Sequence, residues 1–283
     1  MLPDPEVLPV RTQLGESPLW DAAASALWFI DIRAPALHRL DPRTQKLDSW
    51  PMPEPIGSLG LCRNGRLLLA LQHSLHVFDP RTGKRERFLV LEDEPEHNRL
   101  NDGKVAPDGA FWVGSMDAHA AQRRPTGTLY RITADGKVSS HGNQLKVSNG
   151  LAWSADGRTM FHADSHLQWI RRYRHASGTL SDQKTIANPD EKTGRPDGAA
   201  ADVEGGYWSA GVSAGCLNRW SADGELLERV ALPVPNPTMP CFAGEDMKTV
   251  YVTSLARTPH ENAGAMVRLR LAVAGVPVAR FAL

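Results

Sequence analysis

Apolar and polar positions along the chain fall into six short apolar runs, at residues 26–31, 66–71, 110–115, 159–164, 206–211 and 249–254. With Trp28, Leu68, Trp112, Phe161, Trp208 and Tyr251 taken as equivalent, successive runs are 40, 44, 49, 47 and 43 residues apart. Most of them follow a turn of the same chemistry: Arg63-Asn64-Gly65, Pro107-Asp108-Gly109, Ala155-Asp156-Gly157 or Val203-Glu204-Gly205. Gly and Asn supply the positive φ that a tight hairpin needs. A second apolar run follows each first one, as in Ala36-Leu37-His38-Arg39-Leu40 and Cys216-Leu217-Asn218-Arg219-Trp220, and it too ends in a turn, such as Asp79-Pro80-Arg81-Thr82-Gly83 or Ala222-Asp223-Gly224. Each unit thus holds about four strands, and six such units predict an all-β, six-bladed β-propeller. A β-sandwich gives no reason for a period of this length running from end to end. Residues 1–283 are expected to form one propeller domain.

A propeller ring has to be closed, and Glu6-Val7-Leu8-Pro9-Val10 together with residues 276–281 are the expected closing strands. The first strand of every blade lines the central channel, so residues at one phase of different units should meet on the axis although they lie far apart in sequence. Counting back from the equivalent positions, Glu16 and Asn149 lie 12 residues earlier, and Asn101 and Asp197 lie 11 residues earlier. The corresponding places in the second and sixth units are Gly57 and Met239-Pro240. Four units therefore offer side-chain oxygens and two offer small or apolar walls. Asp197 stands between Pro196 and Gly198, stiff backbone on one side and permissive backbone on the other, which places the carboxylate at a strand mouth.

Charge narrows the partners. The 32 basic and 32 acidic residues cancel and are spread along the chain, so there is no basic field for nucleic acid or an anionic membrane. No window approaches the roughly 18 uncharged apolar residues of a spanning helix, and the first residues lack a basic segment followed by an apolar core. A cytoplasmic protein, monomeric or weakly self-associating, is expected. Cys62, Cys216 and Cys241 are an odd number at wide spacing and read as reduced core thiols.

Taken singly, Asn149-Gly150, Asp102-Gly103 and Asp197 are ordinary turn chemistry. Jointly, four oxygen-bearing side chains at one phase of a rotary repeat would be costly unless something cationic balanced them. Two carboxylates, one or two amides and water suit one hard divalent cation, and Ca2+, Mg2+, Mn2+, Zn2+ and Fe2+ all remain open. There is no His- or Cys-rich set for structural zinc. A Ser-His-Asp triad lacks its Gly-x-Ser-x-Gly elbow, and His38 and His76, at equivalent places in their units, read as packing residues.

Five segments carry a resemblance over essentially the whole length: Leu14-Gly15-Glu16-Ser17-Pro18-Leu19-Trp20, residues 98–105 beginning Asn98-Arg99-Leu100-Asn101-Asp102-Gly103, Trp112-Val113-Gly114-Ser115-Met116, Ser148-Asn149-Gly150-Leu151-Ala152-Trp153-Ser154, and Pro196-Asp197-Gly198. The chain resembles the gluconolactonase/regucalcin family of six-bladed propellers. Within it, the bacterial sugar lactonases that open xylono-, arabinono- or galactonolactone are nearest in style, notably in Pro240-Cys241-Phe242-Ala243-Gly244. The resemblance implies a divalent metal bound by Glu16, Asn149 and Asp197, with Arg99 and Asn101 facing the substrate, and hydrolysis of a sugar-acid lactone. Asp197 would then serve as ligand, as the base that takes a proton from water, or as both. Regucalcin-like members carry an acid in the loop after the Gly-Ser/Thr-Met strand; here that loop spans residues 117–124, and His119 stands where the substrate-facing acid is expected. Two competing readings are a phosphotriester hydrolase on the same centre and a non-catalytic calcium-binding propeller.

Overall fold

The strands assemble into six four-stranded antiparallel sheets in the computed structural model, which describes residues 4–119 and 121–283 and contains no helix among them. In five sheets the strands are in simple sequence order. The inner ones are Gly15–Asp21, Ser58–Leu61, Asn98–Val105, Ser148–Trp153, Pro196–Ala201 and Pro237–Ala243. Each inner strand packs on the inner strand of the next blade, and the first packs on the sixth, so the six blades form a closed ring around a channel.

The apolar runs that set the period are the second strands. They are buried on both faces because each sheet is stacked between two others. Six hydrophobic clusters result among the described residues, one between each pair of neighbouring blades. Trp112 and Trp208 are fully buried in this way, and a side chain of that kind contributes on the order of 2–3 kcal/mol. Fourth strands such as Leu47–Pro51 are largely exposed, which accounts for their polar composition. His38 packs as expected, stacked on Phe29 with Nδ1 2.8 Å from Ser49 Oγ. The three cysteines are free and buried, and burial pushes the Cys62 and Cys241 thiols up to about 12. Among the described residues no helix is long and apolar enough to cross a membrane.

Ring closure differs from expectation in one partner. The N-terminal strand Glu6–Arg11 does become the outermost strand of the sixth blade, but it pairs with Ala265–Arg270, with Glu6 opposite Arg268 and Val7 opposite Val267. Residues 276–281 form no strand. Pro277 has no N–H to give a ladder, and the segment instead crosses the underside of the channel: Val276 N–H donates to the Ala201 carbonyl (2.9 Å) and Phe281 N–H to the Leu61 carbonyl (2.7 Å). Phe281 is fully buried between the second and third blades. The tail therefore caps the end of the channel opposite the predicted site, leaving there a cavity of about 270 Å³ walled mainly by alanine, valine and proline.

Close approach of inner strands explains the glycines that follow the candidate site residues. Gly150 has φ +67°, and a Cβ there would collide with Tyr207 Oη and come within 3.0 Å of the Asp197 carbonyl oxygen. Gly150→Ala is therefore expected to cost about 3 kcal/mol through strain and crowding and to lower Tm by about 6 °C or more. A thermal scan checks this, and a parent-like Tm would mean that the ring relaxes around the added methyl.

Candidate active site

A recurring irregularity sits at one level of the ring. Strand pairing slips between Glu16 and Leu19, between Leu100 and Gly103, between Asn149 and Ala152, between Pro196 and Ala199, and between Pro237 and Met239. The second blade, where Gly57 stands at the predicted place, pairs regularly. Bulges bend a strand and re-aim its side chains. They also reconcile the two sequence offsets. Glu16 pairs with Ile30 and Asn149 with Ala163, each two residues past the equivalent position. Leu100 pairs with Ser115 and Pro196 with Gly211, each three past it, so Asn101 and Asp197, one residue on, come to the same level.

The four side chains, with Arg99, converge on one cavity of about 450 Å³ at the mouth of the channel, walled by every blade except the second. Glu16 is 8% exposed, and the Ser17 N–H lies 3.3 Å from its Oε2. Its carboxyl is raised well above the usual range, first by burial and then by the charges of Asp197 and Asp102. Asp197 is half-buried and is pushed up to about 8, again by burial first and then by Asp102. Asn149 donates from Nδ2 to Ser165 Oγ (2.9 Å), while its Oδ1 is buried without any partner. The arrangement thus holds two carboxylates that repel and one orphaned amide oxygen. No group of three His, Cys, Asp or Glu side chains in metal-binding reach occurs among the described residues, so any cation here would depend on the amide as well as the two acids.

Asn101 is used differently. Its Oδ1 accepts from Arg99 Nη1 (2.8 Å) and its Nδ2 donates to the Ser148 carbonyl (2.9 Å), so it serves to hold the guanidinium. Burial lowers Arg99 to about 10, with Arg123 the next contributor. Beneath this layer Asp102 accepts the Leu151 N–H (3.0 Å), and Lys104 Nζ donates to the Ala199 carbonyl (2.5 Å). Ser148 Oγ lies 2.8 Å from His162 Nε2, but both are fully buried and Nδ1 of that ring has no partner. The pair therefore has no acid and no route to a substrate.

The aspartates that end the second strands were not singled out in the sequence, yet they place the site. Asp31 accepts the N–H groups of Gln13 (2.7 Å) and Leu14 (3.1 Å), just ahead of Glu16. Asp164 accepts those of Lys146 (2.8 Å) and Val147 (3.2 Å), just ahead of Asn149. In the fifth blade Ser213 Oγ does the same for Arg195 N–H (2.9 Å). These two carboxylates lock the entry of the first and fourth inner strands, and their signal was the repeated Asp at the end of an aligned run.

His119 does not reach the cavity. Its backbone N–H (2.9 Å) and Nδ1 (3.2 Å) both turn back to Asp117 Oδ1, and its side chain is 62% exposed. From the same loop it is Arg123 that lines the cavity, tied to the Asp117 carbonyl at 2.6 Å. Residue Ala120 of that loop lies outside the described residues. Arg33, Arg195 and Arg257 also line the mouth. None of the three was predicted: Arg33 and Arg257 sit in loops, and Arg195, which precedes Asp197 by two residues as Arg99 precedes Asn101, was passed over.

The profile of the SMP-30/Gluconolactonase/LRE-like region matches residues 14–256. The chain belongs to this family. It is 37% identical over 245 residues to the 6-deoxy-6-sulfogluconolactonase of Pseudomonas putida, covering 85% of this chain and 83% of that one. To the regucalcin of Xenopus laevis it is 32% identical, covering 86% and 83%. Among solved structures, a calcium-binding regucalcin of Agrobacterium tumefaciens superposes with a TM-score of 0.92 at 25% identity over 100% of this chain and 98% of that one. Membership supports a lactone-hydrolysing role in general.

Proposed function

We propose that the chain is a divalent-cation-dependent sugar lactonase, opening an aldonolactone such as xylono-, arabinono-, galactono- or gluconolactone to the free acid. The observation that carries this reading is the convergence of Glu16, Asn149 and Asp197 on one cavity, with the Asn149 Oδ1 unpartnered and the two acids mutually repelling, beside a guanidinium held in place by Asn101. That donor set fits a hard cation, which lowers the cost of both carboxylates. Glu16, Asn149 and Asp197 would hold it. Bound there, such an ion supplies Lewis-acid polarisation of a carbonyl.

The remaining work belongs to the side chains. Asp197 is the group placed to take a proton from the attacking water, because its carboxylate lines the cavity beside Arg99 and is only half-buried, within reach of a water there. Arg99, held by the Leu100 carbonyl and by Asn101, presents its other N–H groups to lactone oxygens. Asn101 acts through Arg99. Residues of five blades wall the cavity and reduce the solvent around these contacts, which strengthens them.

The test is a panel of aldonolactones offered to chelator-treated protein, with Ca2+, Mg2+, Mn2+, Zn2+ or Fe2+ restored one at a time and acid release followed with a pH indicator. Acid release that requires one of these ions supports the reading. Tight cation binding with no turnover of any lactone would instead leave a calcium-binding propeller.

A further inference from the structure

The cavity mouth gathers five arginines, Arg33, Arg99, Arg123, Arg195 and Arg257, from four blades of a chain whose formal charge is zero. Carboxylates neutralise few of them. Among the described residues only Arg195 of the five makes an ion pair, at 3.6 Å to the exposed Glu191, and its Nε is buried without a partner. Arg99 and Arg123 donate to carbonyls and to Asn101. Asp117, the acid next to Arg123, is already taken by Arg124 Nε (2.8 Å) and by His119. The two acids of the cavity, Glu16 and Asp197, belong to the floor, and any cation held there adds to the positive excess.

A sugar's neutral hydroxyls need acceptors as well as donors, and a guanidinium offers only donors. A fork of N–H groups matches an oxyanion with two or three equivalent oxygens. There is also room for one. A side recess of about 440 Å³ adjoins the main cavity, sharing Arg195, Val212, Leu255 and Arg257 as its wall, and is completed by Ser213, Asn236, Thr258 and the exposed Glu191 that pairs with Arg195. Arg195 and Arg257 therefore stand at the junction, away from the floor.

Building on the lactonase reading, we infer that the substrate is a lactone bearing a second, permanently anionic group (a sulfonate, phosphate or carboxylate) at the end remote from the ring carbonyl, and that Arg195 and Arg257 grip that group. Arg123 and Arg33 add to the attracting field. The shared chemistry is an oxyanion on a polyol chain, and which oxyanion is preferred is for the experiment to show.

The experiment compares kcat/KM for four lactones of one sugar acid in cation-loaded protein, differing only at the terminal carbon: hydroxyl, carboxylate, sulfonate and phosphate. At least one anionic lactone is expected to exceed the neutral one by about 30-fold or more, through KM, and the advantage should shrink as salt rises from ~0.02 to ~0.5 M. Arg195→Gln and Arg257→Gln should each cut the anionic-to-neutral ratio by about tenfold, with Arg195→Lys retaining more of it than Arg195→Gln. Because the ratio is taken within one protein, any general loss in a variant cancels, and the parent protein's salt dependence needs no variant. If the neutral lactone is hydrolysed as well as every anionic one, the inference is overturned while the lactonase reading stands. If none of the four is hydrolysed, both fall.

Discussion

Asp197→Asn and Glu16→Gln are each expected to fold normally and to hydrolyse lactones at least ~100-fold more slowly than the parent. The two losses should differ in kind. Glu16 is buried and in the proposal serves to balance the cation's charge, so Glu16→Gln is expected to weaken cation affinity, with part of the rate returning at high cation concentration. In the proposal Asp197 is proton acceptor as well as ligand, so its amide replacement is expected to keep a rate deficit that more cation does not restore. Initial rates against cation concentration for both variants, with circular dichroism to confirm folding, separate the roles. Parent-like activity in either variant, or full activity in chelator-stripped parent, would sink the proposal.

The second large effect is on stability. In the cation-free protein the Asp197 carboxyl titrates at about 8 against an ordinary value of 3.8, raised by burial and then by Asp102, and Glu16 is raised as well, by burial and then by Asp197. Between about pH 4 and pH 8 the folded state therefore keeps protons that the unfolded chain has released. Stability must fall as pH rises through this window, by an amount on the order of a few kcal/mol, and the loss is complete above the folded-state value. On the proposed reading a divalent cation would replace those protons and bind only the folded ring. Saturating cation is accordingly expected to raise Tm by about 10 °C at pH 8 and by only a few degrees at pH 5. In Glu16→Gln the cation-free pH dependence should flatten, because one of the two repelling acids is gone. An equal Tm increment at both pH values would show that these carboxylates are not the ligands.

Much of the ring was legible because each blade is written locally. The runs containing Trp28, Trp112 and Trp208 are apolar without alternation, which is what burial between two sheets requires, and turns such as Asn64-Gly65, Asp108-Gly109 and Asp156-Gly157 set hairpins within a few residues. From that period alone Glu16, Asn101, Asn149 and Asp197 come to one level, since rotation about the axis converts sequence phase into proximity. The bulges that make offsets of 12 and 11 equivalent are a property of strand pairing and have no local spelling. The tail around Pro277 reads as a strand by its valines, but its N–H groups find partners only on the underside of other blades, at Ala201 and Leu61. Whether His119 or Arg123 turns inward was decided by Asp117, which holds the histidine outward through contacts two residues apart and leaves the arginine the inward path. The arginine rim is the extreme case. Arg195 stands at the phase of Arg99, but Arg33 and Arg257 lie in loops beyond the second strands of other blades, and only the placement of those loops over the channel turns an electrically neutral sequence into a positively charged mouth above an acidic floor.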